Sequence, residues 1–323
     1  MNPIAFFMSL RPKQWTKNLL LFAGILFAQQ WGDTHLLLNV VGAFFVFCAL
    51  SGVVYITNDI LDVEKDREHP KKCKRPIASG AISPMAAGIG AFLLLVGGLY
   101  AAWLITPNFF VCAFIYVLLV TLYSFQFKHM VVLDVMVLAM GFVLRAIAGV
   151  EALHEPGSDK VIPVTPYFLL TTLFLALFLA VAKRRNELVT MKEGAEGVRK
   201  VLKDYSTEFC DVLLTVATAG VIFSYAQWAT SGAFERGGAL AGSAAAIAST
   251  AAGAAQQMPH NSAYPLAFTM PFVLYGIFRY LWLVFRKDEG GAPEMLLLTD
   301  KPLLITVLLW VITVIAILLN AKA

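Results

Sequence analysis

Long apolar runs recur from one end of this sequence to the other and constrain its fold more than any other feature. A helix of about 17–25 apolar residues is long enough to cross the hydrocarbon layer of a bilayer. Lipid offers no hydrogen-bond partner to an open backbone, so the crossing segments are expected to be helices. The sequence therefore predicts an all-α integral membrane protein with nine transmembrane helices, over residues 17–32, 36–58, 84–106, 109–127, 132–152, 165–183, 209–231, 263–285 and 302–320.

The composition agrees with membrane insertion along the whole chain. Of the 323 residues, 59% are hydrophobic and 14% are charged. An average soluble domain has about 45–50% apolar and about 25% charged residues. We therefore expect a single polytopic domain over residues 1–323. The four cysteines form no CxxC pair and have no nearby histidine, so we interpret them as packing residues and expect no disulfide frame or zinc site.

The distribution of Lys and Arg predicts the topology. With a cytoplasmic N-terminus, nine spans leave 20 of the 25 basic residues on the cytoplasmic side and three outside. This positive-inside bias predicts an outer C-terminus and a basic cytoplasmic face, which suits anionic lipid or phosphorylated substrates. The cytoplasmic loops would be residues 59–83, 126–131, 183–208 and 286–301, and the Ala/Gly-rich segment 232–262 would lie outside. The sequence has no basic stripe with interleaved aromatics, which is the pattern that would indicate nucleic-acid binding. It leaves open whether the protein forms a homo-oligomer.

Three aspartates at the end of the second predicted span form the clearest candidate site. In "NDILDVEKD" the residues Asp59, Asp62 and Asp66 are spaced so that a helix would place them on one face, bordered by Asn58. Three like charges repel one another unless a cation lies among them. Hard oxygen ligands of this kind suit Mg²⁺, which typically binds one or two carboxylates together with water and substrate phosphates.

Basic residues follow these acids directly. Lys71, Lys72, Lys74 and Arg75 precede the turn of residues 76–80. Carboxylates that hold a metal, next to bases that hold phosphate oxygens, are typical of a site for a Mg²⁺-bound diphosphate ester. The alternative is an ordinary solvated loop with internal ion pairs.

The pattern from Asn58 to Asp66 resembles the NDxxDxxxD motif of the UbiA-type intramembrane prenyltransferases. The resemblance covers essentially the whole chain. It implies that this motif binds a substrate diphosphate through Mg²⁺, and that the helices enclose a chamber open to lipid.

Further segments are similar to one branch of that superfamily, the decaprenyl-phosphate phosphoribosyltransferases. They are "LRPKQWTKN" (10–18), "DREHPKKCKRPIASG" (66–80), "FKH" (127–129), "LRAIAG" (144–149), "KRRNEL" (183–188) and "PEMLLLTD" (293–300). The resemblance implies transfer of 5-phosphoribose from phosphoribosyl diphosphate to a polyprenyl phosphate. The products would be polyprenylphosphoryl-5-phosphoribose, a precursor for arabinan or a related glycolipid, and diphosphate.

The second aspartate motif of the aromatic prenyltransferases is incomplete in this chain. The stretch 123–138 keeps Tyr123, Lys128 and Asp134, but Leu138 stands where the second acid would be. This departure favours the phosphoribosyl branch. It weakens the alternative of a prenyltransferase that moves a prenyl group from its diphosphate to an aromatic or quinone precursor.

Arg145 lies inside a predicted span, where a charge costs about 2.5–3.5 kcal/mol or more. The spacing places it on one helix face with Asp134 and Gly141. The compensating charge could come from Asp134 and Glu151, which would make an ion pair, or from an anionic substrate. Gly141 favours the substrate, because it leaves room for a ligand to approach.

Two other basic groups are candidates for phosphate binding. Lys183 and Arg184 lie where the sixth predicted span reaches the cytoplasm, with Glu187 placed to hold Lys183 or to accept a ribose hydroxyl. A simple topology anchor is the alternative for this group. Near the N-terminus, Lys17 is the candidate for the acceptor phosphate, together with Arg11 and Lys13, for which general attraction to anionic lipid is the alternative.

A cation-coupled transporter is the remaining alternative from another functional class. It would be expected to carry acids deep inside its spans, or helices broken in matching halves. The acids of this chain instead collect at the cytoplasmic boundary. The sequence therefore favours a Mg²⁺-dependent transferase.

Overall fold

A computed structural model describes residues 2–70, 72–154, 165–192, 200–230, 265–286, 291 and 293–320. All regular secondary structure in these ranges is helical. The chain divides into two compact units, Met1–Val161 and Ile162–Ala323. Both units are described separately below, and the expected single domain over residues 1–323 stays a prediction.

The first unit contains seven α-helices and three short 3₁₀ segments. The α-helices are α1 (Pro3–Ser9), α2 (Phe22–Phe27), α3 (Thr34–Leu61), α4 (Val63–Glu68), α5 (Pro84–Ile105), α6 (Pro107–Phe125) and α7 (Leu133–Glu151). The 3₁₀ segments are Pro12–Leu21, Lys72–Lys74 and Phe127–His129. Helix α3 packs against α5, and α6 packs against both α5 and α7.

Capping residues in the sequence determine where these helices begin. Asp33 accepts hydrogen bonds from the backbone N–H groups of His35 and Leu36 at the start of α3. Ser83 and Thr106 cap α5 and α6 in the same way, and each is followed by a proline in the first turn. Proline costs no hydrogen bond there, because the first N–H groups of a helix have no partner within it.

The second unit contains five α-helices in its described part. They are α8 (Pro166–Lys192), α9 (Thr207–Thr230), α10 (Met270–Arg286), α11 (Pro293–Thr299) and α12 (Lys301–Asn320), with 3₁₀ segments at Lys200–Asp204 and Pro265–Thr269. Helix α8 packs along α9, and α10 packs against α12. The predicted outer segment 232–262 lies outside the described residues.

Eight helical segments of the described chain are long and apolar enough to cross a membrane. They confirm eight of the nine predicted segments to within a few residues, apart from the C-terminal end of the sixth. Helix α8 continues beyond residue 183 to Lys192, so "KRRNEL" lies within a helix and not after its end. The first prediction, an α-helix over residues 17–32, is wrong in form: a 3₁₀ segment covers Pro12–Leu21 and α2 ends at Phe27. The count of nine spans and their orientation stay predictions.

Glycine allows the N-terminal 3₁₀ segment to approach α7 closely. A Cβ atom on Gly149 would lie 2.2 Å from the carbonyl oxygen of Leu21 and 2.7 Å from its Cα atom. Gly24, from α2, faces the same point, since its Cβ would lie 3.0 Å from the backbone of Gly149. Backbone atoms cannot move aside as a flexible side chain can, so this contact depends on the missing Cβ.

We predict that Gly149→Ala destabilises the protein by at least about 1–3 kcal/mol, the usual cost of overpacking. The matched control is Gly97→Ala, because no atom lies within 4 Å of the Cβ it would introduce. Alanine has the higher helix propensity, so this control is expected to be neutral or slightly stabilising. Thermal unfolding of both variants in detergent tests the prediction, and equal melting temperatures would contradict it.

Candidate functional site

Asp59 and Asp66 lie on either side of a joint between two helices. Helix α3 ends at Leu61, α4 begins at Val63, and Asp62 lies between them with φ −99° and ψ 11°. Hydrogen bonds from the N–H of Asp62 to Asn58 and from the N–H of Asp66 to Asp62 carry the helical path across the joint. The prediction that the three acids share one face of a continuous helix is therefore wrong in detail, because the helix is interrupted at the middle acid.

One guanidinium group bridges the two outer aspartates. Nη1 of Arg75 lies 3.0 Å from Oδ1 of Asp59 and 2.5 Å from Oδ2 of Asp66. Both aspartates are only 2% exposed. The Lys72 ammonium lies 3.9 Å from the other oxygen of Asp66. Two buried carboxylates thus converge on a single cationic atom.

Arg11 supplies a second guanidinium to the same site. Its Nη2 donates to Oδ1 of Asp59 at 2.5 Å, and its Cζ atom lies 4.8 Å from the centre of the Tyr55 ring. Arg11 was expected to attract a lipid phosphate or anionic lipid in general, but it pairs with an acid 48 residues away. Arg11 has φ 52°, a left-handed conformation that is uncommon for residues other than glycine.

The fold of residues 72–82 fixes the position of the Arg75 backbone. The N–H of Arg75 donates to Lys72, and the carbonyl oxygen of Arg75 accepts from Ser79. Ile77 and Ile82 are 0% and 3% exposed, and they belong to an apolar cluster with residues of α3 and α5. This anchor holds the Arg75 backbone next to the acids. Lys74 is exposed, and Lys71 lies outside the described residues.

The middle acid and its neighbour lie at the edge of this arrangement. Asp62 and Asn58 are both half-buried. Neither side chain has an ion pair or a hydrogen bond within the described residues. They are therefore available as oxygen ligands next to the buried pair.

The donor set fits a magnesium ion in its chemistry. No three His, Cys, Asp or Glu side chains are grouped closely enough to hold a metal in the described part of the chain. Asp59 and Asp66 nevertheless share one cation, which shows that their oxygens face a common point. One or two carboxylates are the usual protein contribution to a Mg²⁺ site that also binds substrate phosphates. Asp59 and Asp66 are the residues that would hold it.

Arg145 lies in a separate buried cluster in the first unit. It is 5% exposed and donates to the Asn18 side chain at 2.8 Å, to the Gly141 carbonyl oxygen at 2.9 Å and to the Tyr116 hydroxyl at 2.7 Å. The Tyr116 ring centre lies 4.7 Å from its Cζ atom. Asn18 is fully buried and extends the cluster to Ser51 on α3. The guanidinium therefore links four helical segments through neutral partners.

The prediction of an ion pair at Arg145 is wrong. Within the described chain Arg145 forms no ion pair, and Glu151 instead contacts His154 at 2.8 Å and Asn108 at 3.1 Å. Nη1 of Arg145 would lie 3.6 Å from a Cβ at Gly141, an ordinary contact distance, and the role of Arg145 in substrate binding stays a prediction. Asn18 was not predicted, because an amide near an apolar run gives no further signal in the sequence.

The other candidate site residues of the first unit differ in how far they are buried. Asp134 is fully buried and Tyr123 is 9% exposed. Lys128, in the short 3₁₀ segment after α6, and Lys17 are both half-buried. Their roles in substrate binding stay predictions.

The basic group of the second unit pairs differently from the prediction. Arg184 is 1% exposed and donates to Glu187 at 2.5 Å, while Lys183 is exposed. Glu187 was expected to hold Lys183 or a ribose hydroxyl, but it contacts the arginine that is buried next to it. Arg185 contacts Asp211 at 2.7 Å, which ties α8 to α9.

We predict that Asn18→Leu, which nearly keeps the side-chain volume, lowers stability by about 1.5–3 kcal/mol. The reason is that a buried guanidinium N–H loses its acceptor, and hydrogen bonds to charged groups have this magnitude. Ser51→Ala is the control, because it removes only a bond between neutral groups, worth about 1 kcal/mol. Thermal unfolding in detergent measures both, and a smaller loss for Asn18→Leu than for Ser51→Ala would contradict the prediction.

Known proteins are similar to this chain over most of its length. Residues 19–293 match the model of the UbiA prenyltransferase family. Decaprenyl-phosphate phosphoribosyltransferase from Mycobacterium tuberculosis is 33% identical over 312 residues, which cover 95% of this chain and 91% of that protein. The protein of the same name from Corynebacterium glutamicum is 33% identical over 319 residues, with 95% and 84% covered.

Solved structures support the fold. A UbiA homolog from Archaeoglobus fulgidus bound to GPP and Mg²⁺ superposes with a TM-score of 0.64 at 18% identity, over 97% of this chain and 99% of that one. A structure of digeranylgeranylglyceryl phosphate synthase superposes with a TM-score of 0.61 at 20% identity, over 97% and 96%. The family match over residues 19–293 and the 33% identical relatives show that the protein is a multi-pass membrane transferase that belongs to the UbiA prenyltransferase family.

Proposed function

We propose that this protein transfers 5-phosphoribose from phosphoribosyl diphosphate to a polyprenyl phosphate. The observation that carries the proposal is its 33% identity, over 95% of the chain, to relatives named decaprenyl-phosphate phosphoribosyltransferase. The buried acids and the adjacent bases supply the chemistry that a diphosphate donor requires. We further propose that the protein lies in a bacterial inner membrane with this site on the cytoplasmic side.

Asp59 and Asp66, with Asp62 beside them, would hold Mg²⁺. When bound, the metal neutralises charge on the diphosphate and makes it a better leaving group. Arg75 and Lys72 already contact these carboxylates, so they lie within reach of a diphosphate bound at the same acids. A guanidinium binds two phosphate oxygens at once, whereas an ammonium acts as a point charge.

The reaction breaks the bond between the anomeric carbon of ribose and the diphosphate oxygen. A phosphate oxygen of the lipid forms the new bond to that carbon, which gains oxocarbenium character on the way. The acceptor oxygen is already ionised at neutral pH, so the chain has no proton to remove and needs no general base. Its basic residues stabilise the charge that develops on the departing diphosphate.

The position of the acids suits two substrates of opposite solubility. Asp59 lies two residues before the end of the spanning helix α3, and Asp66 follows it in α4. A water-soluble donor reaches such a boundary from the aqueous side, and a lipid acceptor reaches it from the bilayer. Holding both substrates there turns a bimolecular encounter into a nearly unimolecular step. We assign Lys17, Lys128, Tyr123 and Asp134 to the surroundings of this site as candidates.

Transfer of a prenyl group from its diphosphate to an aromatic acceptor is the second candidate function. The family contains prenyltransferases by name, and an 18% identical member of the same fold was solved with GPP and Mg²⁺. The same aspartates would serve that reaction. Leu138, in place of the expected second acid, disfavours it.

We predict that purified protein given labelled phosphoribosyl diphosphate, polyprenyl phosphate and Mg²⁺ forms a labelled product that partitions into organic solvent. Asp66→Asn is expected to lower the rate by about 100-fold or more, because several kcal/mol of charge stabilisation depend on the metal. Glu64→Gln is the matched control: Glu64 is an exposed acid on the same short helix and should keep nearly full activity.

Chelation of the metal should also abolish the product. Absence of lipid product under these conditions, together with transfer from a prenyl diphosphate to an aromatic acceptor, would reject the phosphoribosyl proposal. The second candidate would then replace it. Equal loss of activity in Asp66→Asn and Glu64→Gln would reject the assignment of the site.

A further inference from the structure

Arg75 occupies the point at which the two buried acids of the site converge. Its Nη1 contacts one oxygen of each acid, at 3.0 Å from Asp59 and 2.5 Å from Asp66. Both carboxylates are almost fully buried, so leaving them without a cation would be strongly unfavourable. Arg75 therefore has the electrostatic role that a metal ion has in a loaded site.

A divalent cation and this guanidinium compete for the same oxygens. A metal at the point where Oδ1 of Asp59 and Oδ2 of Asp66 converge would take the position that Nη1 now occupies. Two cations held by the same oxygens would repel each other strongly at such short range. Binding of the metal therefore requires the Arg75 side chain to leave.

The displaced side chain can move while its backbone stays in place. The buried Ile77 anchors the chain two residues beyond Arg75. The Arg75 side chain itself is 30% exposed, so it is not enclosed by protein on every side. Once displaced, the guanidinium needs a new anionic partner, and a diphosphate offers oxygens in the geometry that an arginine fork binds best.

We propose that Arg75 is an exchangeable counter-cation that couples binding of the divalent metal to binding of the diphosphate group. The proposal rests on the function proposed above for the site, and it adds the order of events within it. The metal alone binds weakly, because it must displace Arg75 into water. Metal and diphosphate together bind tightly, because the displaced guanidinium gains the diphosphate as its partner. By reciprocity, each ligand strengthens the binding of the other by the same factor.

The test uses Mn²⁺ as the metal probe and inorganic pyrophosphate as the diphosphate probe, with the full-length protein in detergent. Electron paramagnetic resonance of free Mn²⁺ gives the metal affinity directly. In Arg75→Gln the charge that bridges the two acids is gone, while Arg11 still contacts Asp59. Mn²⁺ alone should therefore bind roughly fivefold or more tightly than to the original protein, a typical coupling factor. Pyrophosphate should then raise the Mn²⁺ affinity of the variant by a much smaller factor than that of the original protein.

Two further variants complete the comparison. Lys65→Gln removes one positive charge from an exposed position of α4, and it should leave the Mn²⁺ affinity unchanged. Arg75→Lys keeps the charge but loses the planar fork, so its affinity for Mn²⁺ alone should fall between those of the original protein and Arg75→Gln. If Arg75→Gln does not fold, Arg75→Lys alone carries the test, with any tightening relative to the original protein as the expected result.

An Mn²⁺ affinity in Arg75→Gln that equals or falls below that of the original protein would overturn the exchange. The same holds if neither protein binds Mn²⁺, or if Lys65→Gln tightens binding equally. The metal titration contains no phosphoribosyl donor, so its result is independent of the transfer assay. If lipid product forms but the Mn²⁺ affinity of Arg75→Gln is unchanged, the proposed function stands and the exchange is rejected. If Arg75→Gln binds Mn²⁺ more tightly but no lipid product forms, the exchange stands and the proposed function is rejected.

Discussion

The burial of two carboxylates at the end of an apolar helix is the constraint on which the rest of the site depends. Asp59 and Asp66 are removed from water, and like charges in that position cannot both stay ionised without cations beside them. Arg11 reaches Asp59 from before the first 3₁₀ segment, and Arg75 reaches both acids from beyond α4. The left-handed backbone at Arg11 and the buried Ile77 after Arg75 both lie next to these contacts. The contacts of Arg11 and Arg75 with the two acids hold three separate parts of the chain at one point.

The first unit contains a second buried charge, which is stabilised by neutral partners and not by an opposite charge. Arg145 is surrounded by an amide, a carbonyl oxygen and a phenol, and the described residues give it no carboxylate. Such a cluster holds α7 to its neighbours through hydrogen bonds to neutral partners. The Asp59–Arg75–Asp66 group is instead made of formal charges, and its arginine is partly exposed. Charges paired in this way can be exchanged for other charges, which is the property that a metal and diphosphate site requires.

Sequence alone predicted the features that depend on local pattern. Eight spans followed from the length of the apolar runs, and the acidic motif followed from its own spacing. The joint at Asp62 was not predictable, because i, i+3 and i, i+4 spacing is equally compatible with a continuous helix. The 3₁₀ form of residues 12–21 was hidden for a similar reason, since apolar length does not determine the type of helix.

The partners of the charged residues were least predictable, because they depend on contacts between distant parts of the chain. Arg11 and Asp59 are 48 residues apart, and Asn18 and Arg145 are 127 apart. A pattern read along the chain assigned Arg11 to lipid and Arg145 to an ion pair or a substrate. Only the packing of the N-terminal 3₁₀ segment against α3 and α7 brings these residues to their observed partners.

An experimental structure with Mg²⁺ and phosphoribosyl diphosphate, without the lipid acceptor, tests the metal and diphosphate site most directly. The predicted result is a metal about 2.0–2.1 Å from oxygens of Asp59 and Asp66, with the Arg75 guanidinium moved onto the diphosphate. A diphosphate bound elsewhere, with Arg75 still bridging the two aspartates, would contradict the proposed site and its mechanism together.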